Sequence, residues 1–77
     1  MMREFSYVVG ICNQYHVMCG GGCESTKSFE VALDCAIEIS LATDKVAYIL
    51  CEGNGNHKYL YRLYAESSTE YYMRQLS

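Results

Sequence analysis

The strongest pattern in the chain is a mostly apolar stretch with a regular acidic edge, at residues 28–43. Glu30, Asp34 and Glu38 recur at every fourth position, and nearly all of the residues between them are apolar. Because residues four apart share one face of a helix, the pattern predicts a long helix with a narrow acidic edge. Ser28 is its predicted N-cap. The rest of its surface is so widely apolar that we expect a second packing surface in addition to a sheet.

Strand patterns precede this helix. Residues 4–12 alternate between two faces, which predicts a half-buried strand. Asn13 and Gln14 can turn the chain, and residues 15–19 then form a second strand, with one long bent strand as the alternative. Glycines at 20–22 end this strand, and the polar segment at residues 23–28 leads into the helix.

Two further strands and a second helix are predicted after it. Residues 46–52 and 57–66 have strand character, and the Gly-Asn-Gly-Asn turn at 53–56 joins them into a hairpin. Residues 67–70 match a capping box, in which a hydroxyl residue precedes a glutamate by three positions. They predict a short C-terminal helix with Tyr72, Met73 and Leu76 on one side.

The order of elements is therefore ββαββα in a single α+β domain spanning residues 1–77. We expect a four-stranded, mainly antiparallel sheet with one long helix packed on one face and a short C-terminal helix. The chain has no proline, repeat or low-complexity tract that would mark a domain boundary. A domain of this size buries a small core, so a partner subunit is a common source of added stability.

Self-association is predicted from the apolar surface of the long helix. Leu33, Ile37 and Leu41 form a ridge beside the acidic edge, and we expect it to be the interface of a homodimer or larger oligomer. The C-terminal helix is the alternative cover for this ridge.

Charge and composition exclude several classes of function. Nine acidic and six scattered basic side chains give a formal net charge of −3, which disfavours nucleic-acid binding. No apolar run approaches about 18 residues, so no membrane span is expected. An odd count of five cysteines and the lack of a secretory pattern predict a cytoplasmic protein with reduced thiols.

Residues 21–28 resemble a phosphate-binding loop, but the match is incomplete. Thr26 stands where the second glycine is required, and Glu24 places a negative charge inside the phosphate cradle. Nucleotide hydrolysis is therefore disfavoured.

A zinc site is a second chemical candidate. His16, Cys19 and Cys23 are close in sequence, but His16 and Cys19 point to opposite faces of a strand, and only the spacing from Cys19 to Cys23 suits a structural site. A fourth ligand would have to come from Cys12, Cys51 or His57. We predict no metal and no cofactor, although whether the first three residues meet in space is left open.

Catalysis by a nucleophile has little support. Cys35 lies in the middle of the helix on its apolar side, where burial keeps a thiol protonated and inert. Neither His16 nor His57 has a carboxylate at a spacing that identifies a catalytic triad. The chain is predicted not to be an enzyme.

Two groups of residues are candidates for partner binding. The acidic edge of Glu30, Asp34 and Glu38 can dock a basic protein partner, because exposed carboxylates steer association with lysine and arginine clusters. Arg62 and Tyr64 share one face of the fourth strand, and both residue types are favoured at interfaces.

In length, acidic charge and element order, the chain is similar to small phage-encoded inhibitors of bacterial defence, such as anti-CRISPR proteins. The resemblance implies a non-enzymatic protein-binding module that acts in the host cytoplasm by steric occlusion of a host protein. No motif carries it, so it assigns no residue a role. A small-ligand or metal-binding homo-oligomer and a structural subunit of a larger assembly are the alternatives.

Overall fold

The computed structural model describes residues 12–19, 22–55 and 58–76. This part of the chain forms five strands and one helix. In chain order they are β1 (Cys12–Cys19), β2 (Gly22–Thr26), α1 (Phe29–Thr43), β3 (Ala47–Gly53), β4 (Lys58–Ala65) and β5 (Tyr71–Gln75).

The strands form one antiparallel sheet in the order β2-β1-β3-β4-β5. The hairpin of β3 and β4 was predicted and is confirmed. The helix packs against β1, β3 and β4, and to a smaller extent against β2. It therefore lies across one face of the sheet, and we call the opposite face the open face.

The predicted ββαββα fold, with a four-stranded sheet and two helices, is wrong because residues 71–75 form a strand. Ser67 Oγ does accept a hydrogen bond from Glu70 N–H at 3.0 Å, as a capping box would. However, the Glu66 and Ser67 N–H groups both donate to the Glu70 carbonyl, which closes a tight reverse turn. The hydroxyl motif can stabilise a turn as well as a helix start. The chain then returns alongside β4 as β5. The tyrosines of this segment favour a strand.

The N-terminal half differs from the prediction in two further places. Asn13 and Gln14 lie within β1 instead of forming a turn, and the register with β3 shifts between Cys12 and Gln14. This shift is a β-bulge, in which one extra residue is accommodated without ending the strand. The polar segment predicted to lead into the helix contains most of the edge strand β2. The strand predicted at residues 4–11 lies outside the described residues.

The long helix is confirmed. Ser28 Oγ accepts a hydrogen bond from Val31 N–H at 3.4 Å, which makes Ser28 the N-cap as predicted. The helix ends where Asp44 adopts a left-handed conformation with φ of 55°, which aspartate tolerates better than most residues.

The core lies between α1 and the inward face of the sheet. Ala32 and Ala36 are fully buried, and these small side chains let the helix approach the strands closely. Leu33 and Ile37, which were predicted to form an oligomer interface, are only 7% exposed and belong to this core. The core therefore includes part of the apolar surface that was expected to need a partner, whereas Val31 and Leu41 are exposed.

Ser40 is a buried polar residue at the C-terminal end of the helix. Its hydroxyl donates to the Lys45 carbonyl at 2.7 Å and accepts from Ala65 N–H at 3.0 Å. One side chain thus joins the helix, the loop after it and the end of β4. Buried backbone groups rarely lack a hydrogen-bond partner, because each unsatisfied group is costly.

We expect Ser40→Ala to lower the free energy of unfolding by about 1–3 kcal/mol, because it leaves the buried Ala65 N–H and the partly buried Lys45 carbonyl without this partner. The control Thr43→Ala removes an exposed hydroxyl from the same helix and should change this free energy by less than about 0.5 kcal/mol. Urea denaturation of both variants checks the prediction. Equal effects of the two substitutions would contradict it.

Candidate functional site

The acidic edge of α1 is exposed along its whole length. Glu30, Asp34 and Glu38 are all exposed, and none of them forms an ion pair within the described residues. Leu41, the third residue of the predicted ridge, is 39% exposed, while the other two are buried. A continuous apolar ridge is therefore not presented beside the acidic edge.

Arg62 and Tyr64 lie on the other side of the sheet. Their neighbours Tyr61 and Leu63 are fully buried under α1, so strand alternation places Arg62 and Tyr64 on the open face, as predicted. The Tyr64 hydroxyl donates to Asp44 Oδ1 at 2.6 Å, and this hydrogen bond raises the pKa of Tyr64. The two predicted binding groups therefore belong to separate surfaces.

The open face carries aromatic and basic side chains on adjacent strands. Tyr48, Arg62 and Arg74 are register neighbours in one row across β3, β4 and β5. In the next row, Tyr64 pairs with Tyr72, which is 67% exposed. Within the part of the chain that the structure describes, α1 is the one helix, and it lies on the opposite face.

Arg62 and Arg74 form a cross-strand pair of like charges. They are direct register partners, both are exposed, and neither forms an ion pair with a described carboxylate. Like charges at directly opposed positions destabilise an antiparallel sheet. The pair therefore concentrates positive charge on the open face of a chain whose net charge is −3.

A hydrogen-bonded network around His16 lies at another place on the open face. His16 Nδ1 is 2.7 Å from Ser25 Oγ, and His16 Nε2 is 2.7 Å from Glu52 Oε1. Lys58 Nζ lies 3.7 Å from the second carboxylate oxygen of Glu52. The network crosses four strands, and its residues could be brought together only by the strand register. Spacing along the sequence gave no signal for it.

The chemistry of this network resembles a serine, histidine and carboxylate relay. In the tautomer whose Nε2–H donates to Glu52 Oε1, the imidazole Nδ1 can accept the Ser25 hydroxyl proton. Acyl transfer also requires hydrogen-bond donors aimed at an oxyanion. The backbone of β1 is paired with a strand on each side and supplies no such donors, and no described hydrogen bond assigns them to β2, the edge strand that carries Ser25. The geometry instead suits a cross-strand tie that holds the short edge strand β2 to the sheet.

Within the described ranges the structure places four free cysteines, two of which are buried. Cys12 and Cys51 are buried, and burial raises the pKa of the Cys51 thiol to about 12. Burial also raises the pKa of Cys35. Cys19 donates to the Val46 carbonyl on the face opposite His16. The described residues contain no group of three or more side chains suited to holding a metal ion.

Two other sequence candidates can be placed. The segment that resembles a phosphate loop contains β2, an antiparallel edge strand, so the described part of it lacks the loop geometry. In the described part of the chain, no helix has the length and apolar character needed to cross a membrane.

The His16 network predicts a specific pH dependence of stability. The hydrogen bond from His16 lowers the pKa of Glu52 below its usual value of 4.5. A carboxyl whose pKa is lowered by folding stabilises the fold above its unfolded pKa, and this contribution is lost as the pH falls through the folded pKa. Glu52→Gln removes this titration. The free energy of unfolding of the variant should therefore fall less steeply than that of the wild type as the pH drops below about 4.5.

Chemical denaturation at a series of pH values measures this effect. The control Glu66→Gln removes an exposed carboxylate that has no ion pair within the described residues, and it should keep the wild-type profile. If Glu52→Gln keeps that profile too, the network does not contribute to stability.

Comparison of the chain with protein-family models, with curated proteins and with solved structures finds no match.

Proposed function

We propose that the chain is a non-enzymatic protein-binding module whose open face contacts an acidic surface of its partner. The observation that carries this proposal is the pair of Arg62 and Arg74 in neighbouring strands, neither of which forms an ion pair with a described carboxylate. Such a pair lowers the stability of the sheet, whereas a partner carboxylate can bind either guanidinium through two hydrogen bonds.

Tyrosine side chains surround the basic pair. Tyr48 is 37% exposed and Tyr72 is 67% exposed, while Tyr64 is half-buried. Tyrosine and arginine are enriched among residues that dominate binding energy, because each buries a large area and keeps a polar end for hydrogen bonding. The surface therefore combines aromatic contact area with a local positive charge that can steer an acidic partner.

Steric occlusion is the mode of action we propose for this module. A five-stranded face can cover a functional surface on a host protein without chemistry of its own. Length and net charge support the resemblance to phage-encoded anti-defence inhibitors, although the element order that also suggested it is corrected by β5. Action in a host cytoplasm is part of the same proposal.

Charge reversal at Arg62 tests the proposed surface. Arg62→Glu should weaken binding of the partner captured by the wild-type chain by about tenfold or more, since a favourable contact becomes a repulsive one. The same change converts a like-charge pair into an opposite-charge pair, so the free energy of unfolding should stay level or rise by about 0.2–1 kcal/mol. Surface plasmon resonance and urea denaturation measure the two effects.

Lys45→Glu is the matched control, because Lys45 is an exposed base in the loop after α1. It should reduce binding much less than Arg62→Glu. If both reversals weaken binding equally, the effect is one of net charge and the open face is not the binding surface. A lower stability of Arg62→Glu would contradict the account of the arginine pair.

A further inference from the structure

A groove separates the N-terminal half of α1 from the beginning of β5. It has a volume of about 300 Å³ and is lined by Glu30, Leu33, Asp34, Ile37, Ser68 and Tyr71. Its origin is the position of the helix, which packs mainly on β1, β3 and β4. The margin of the sheet formed by β5 therefore extends beyond the helix, and its inward side chains are only partly covered.

The groove is apolar at its base and acidic at its rim. Leu33 and Ile37 are almost fully buried and Tyr71 is half-buried, whereas Glu30 and Asp34 are exposed and without an ion pair in the described residues. A lysine or arginine side chain fits both properties. Its aliphatic stem can cover the apolar base while its charged end reaches the carboxylates.

The outer edge of β5 lies directly beside this groove. In the described sheet β5 pairs with β4 alone, and Leu76 N–H donates to the Leu60 carbonyl. Hydrogen-bonded pairs alternate along antiparallel strands, so the backbone groups of Tyr71 and Met73 point outward. The register of β5 with β4 has no bulge, and the strand contains neither proline nor lysine to block further pairing.

We propose that the β5 edge and the groove together bind an extended, basic segment of another protein, which adds to the sheet as a sixth strand. Alternate lysine or arginine side chains of this segment lie over the groove, and the residues between them lie toward the open face. The proposal rests on the proposed function only in that both assign protein binding to the chain. It uses a different surface and a partner of opposite charge.

A second copy of the chain does not supply such a segment from its described residues. Lys58 and Arg62 have the required alternation, but they belong to β4, which is already paired with β3 and β5. β5 itself carries one basic residue, Arg74. The charge of the groove therefore favours a different protein as the occupant.

Synthetic peptides can test the proposal with the full chain. The probe is an acetylated and amidated heptapeptide, TKVKVKT, which places three lysines on one face of a strand. One control has the same composition in the order KKKVVTT, and another has glutamate in place of each lysine. We expect the alternating peptide to bind and to shift the backbone amide NMR signals of Tyr71 and Met73, while both controls bind at least about tenfold more weakly.

Backbone methylation of the probe separates strand addition from simple charge attraction. Only alternate residues of an added strand direct their N–H groups toward β5. Methylating one alternate set should therefore abolish binding, and methylating the other should leave it unchanged. If the peptide adds antiparallel to β5, methylating the backbone nitrogens of the lysines should abolish binding. If it adds parallel to β5, methylating those of the valines should do so. Equal sensitivity of both sets would overturn the proposal.

Substitutions in the protein locate the site. Glu30→Gln combined with Asp34→Asn should weaken peptide binding by about tenfold, because two exposed charge contacts are lost. Glu38→Gln is the matched control, since Glu38 lies on the same edge of α1 but outside the groove. A comparable loss with Glu38→Gln would overturn the proposal.

Arg62→Glu distinguishes this site from the proposed open-face function. It should leave binding of the basic peptide intact or slightly stronger, because it removes a positive charge. If the peptide binds normally while Arg62→Glu has no effect on the captured partner, the open-face proposal fails alone. If the alternating peptide fails to bind and the Arg62 effect is present, the groove proposal fails alone.

Discussion

The structure depends on the close packing of one helix across part of one sheet face. Fully buried alanines at positions 32 and 36 allow this approach, and the hydroxyl of Ser40 joins the end of the helix to β4. A helix is about 10–12 Å wide, whereas five strands about 4.8 Å apart span nearly 20 Å. One helix therefore cannot cover the width of this sheet. Within the described residues, no second helix packs on the open face or covers the β5 margin.

These two uncovered regions have opposite charge. The open face carries Arg62 and Arg74 among tyrosines, while the groove beside β5 is bordered by Glu30 and Asp34. A chain with a net charge of −3 thus presents a basic surface and an acidic surface on opposite sides of its sheet. We assign to each of these surfaces a partner surface of opposite charge.

The sequence predicted those parts of the fold that depend on local periodicity. The helix, its N-cap Ser28, the hairpin of β3 and β4, and the two faces of β4 follow from spacing along the chain. The strand β5 was missed because the turn at Ser67 uses the same hydrogen bonds as a helix cap. The contact between His16 and Glu52 joins residues 36 positions apart. Such contacts depend on the order and register of strands, which a single sequence does not specify.

Amide hydrogen exchange along β5 tests most directly the claim that this edge is uncovered. If β4 is the neighbour of β5 on one side alone, the amides of Tyr72 and Arg74 donate to β4 and exchange slowly, whereas those of Tyr71 and Met73 exchange rapidly. Residue-resolved NMR measurement of the full chain should show this alternation. Uniformly slow exchange at all four positions would contradict the account, because it would mean that the edge is already paired.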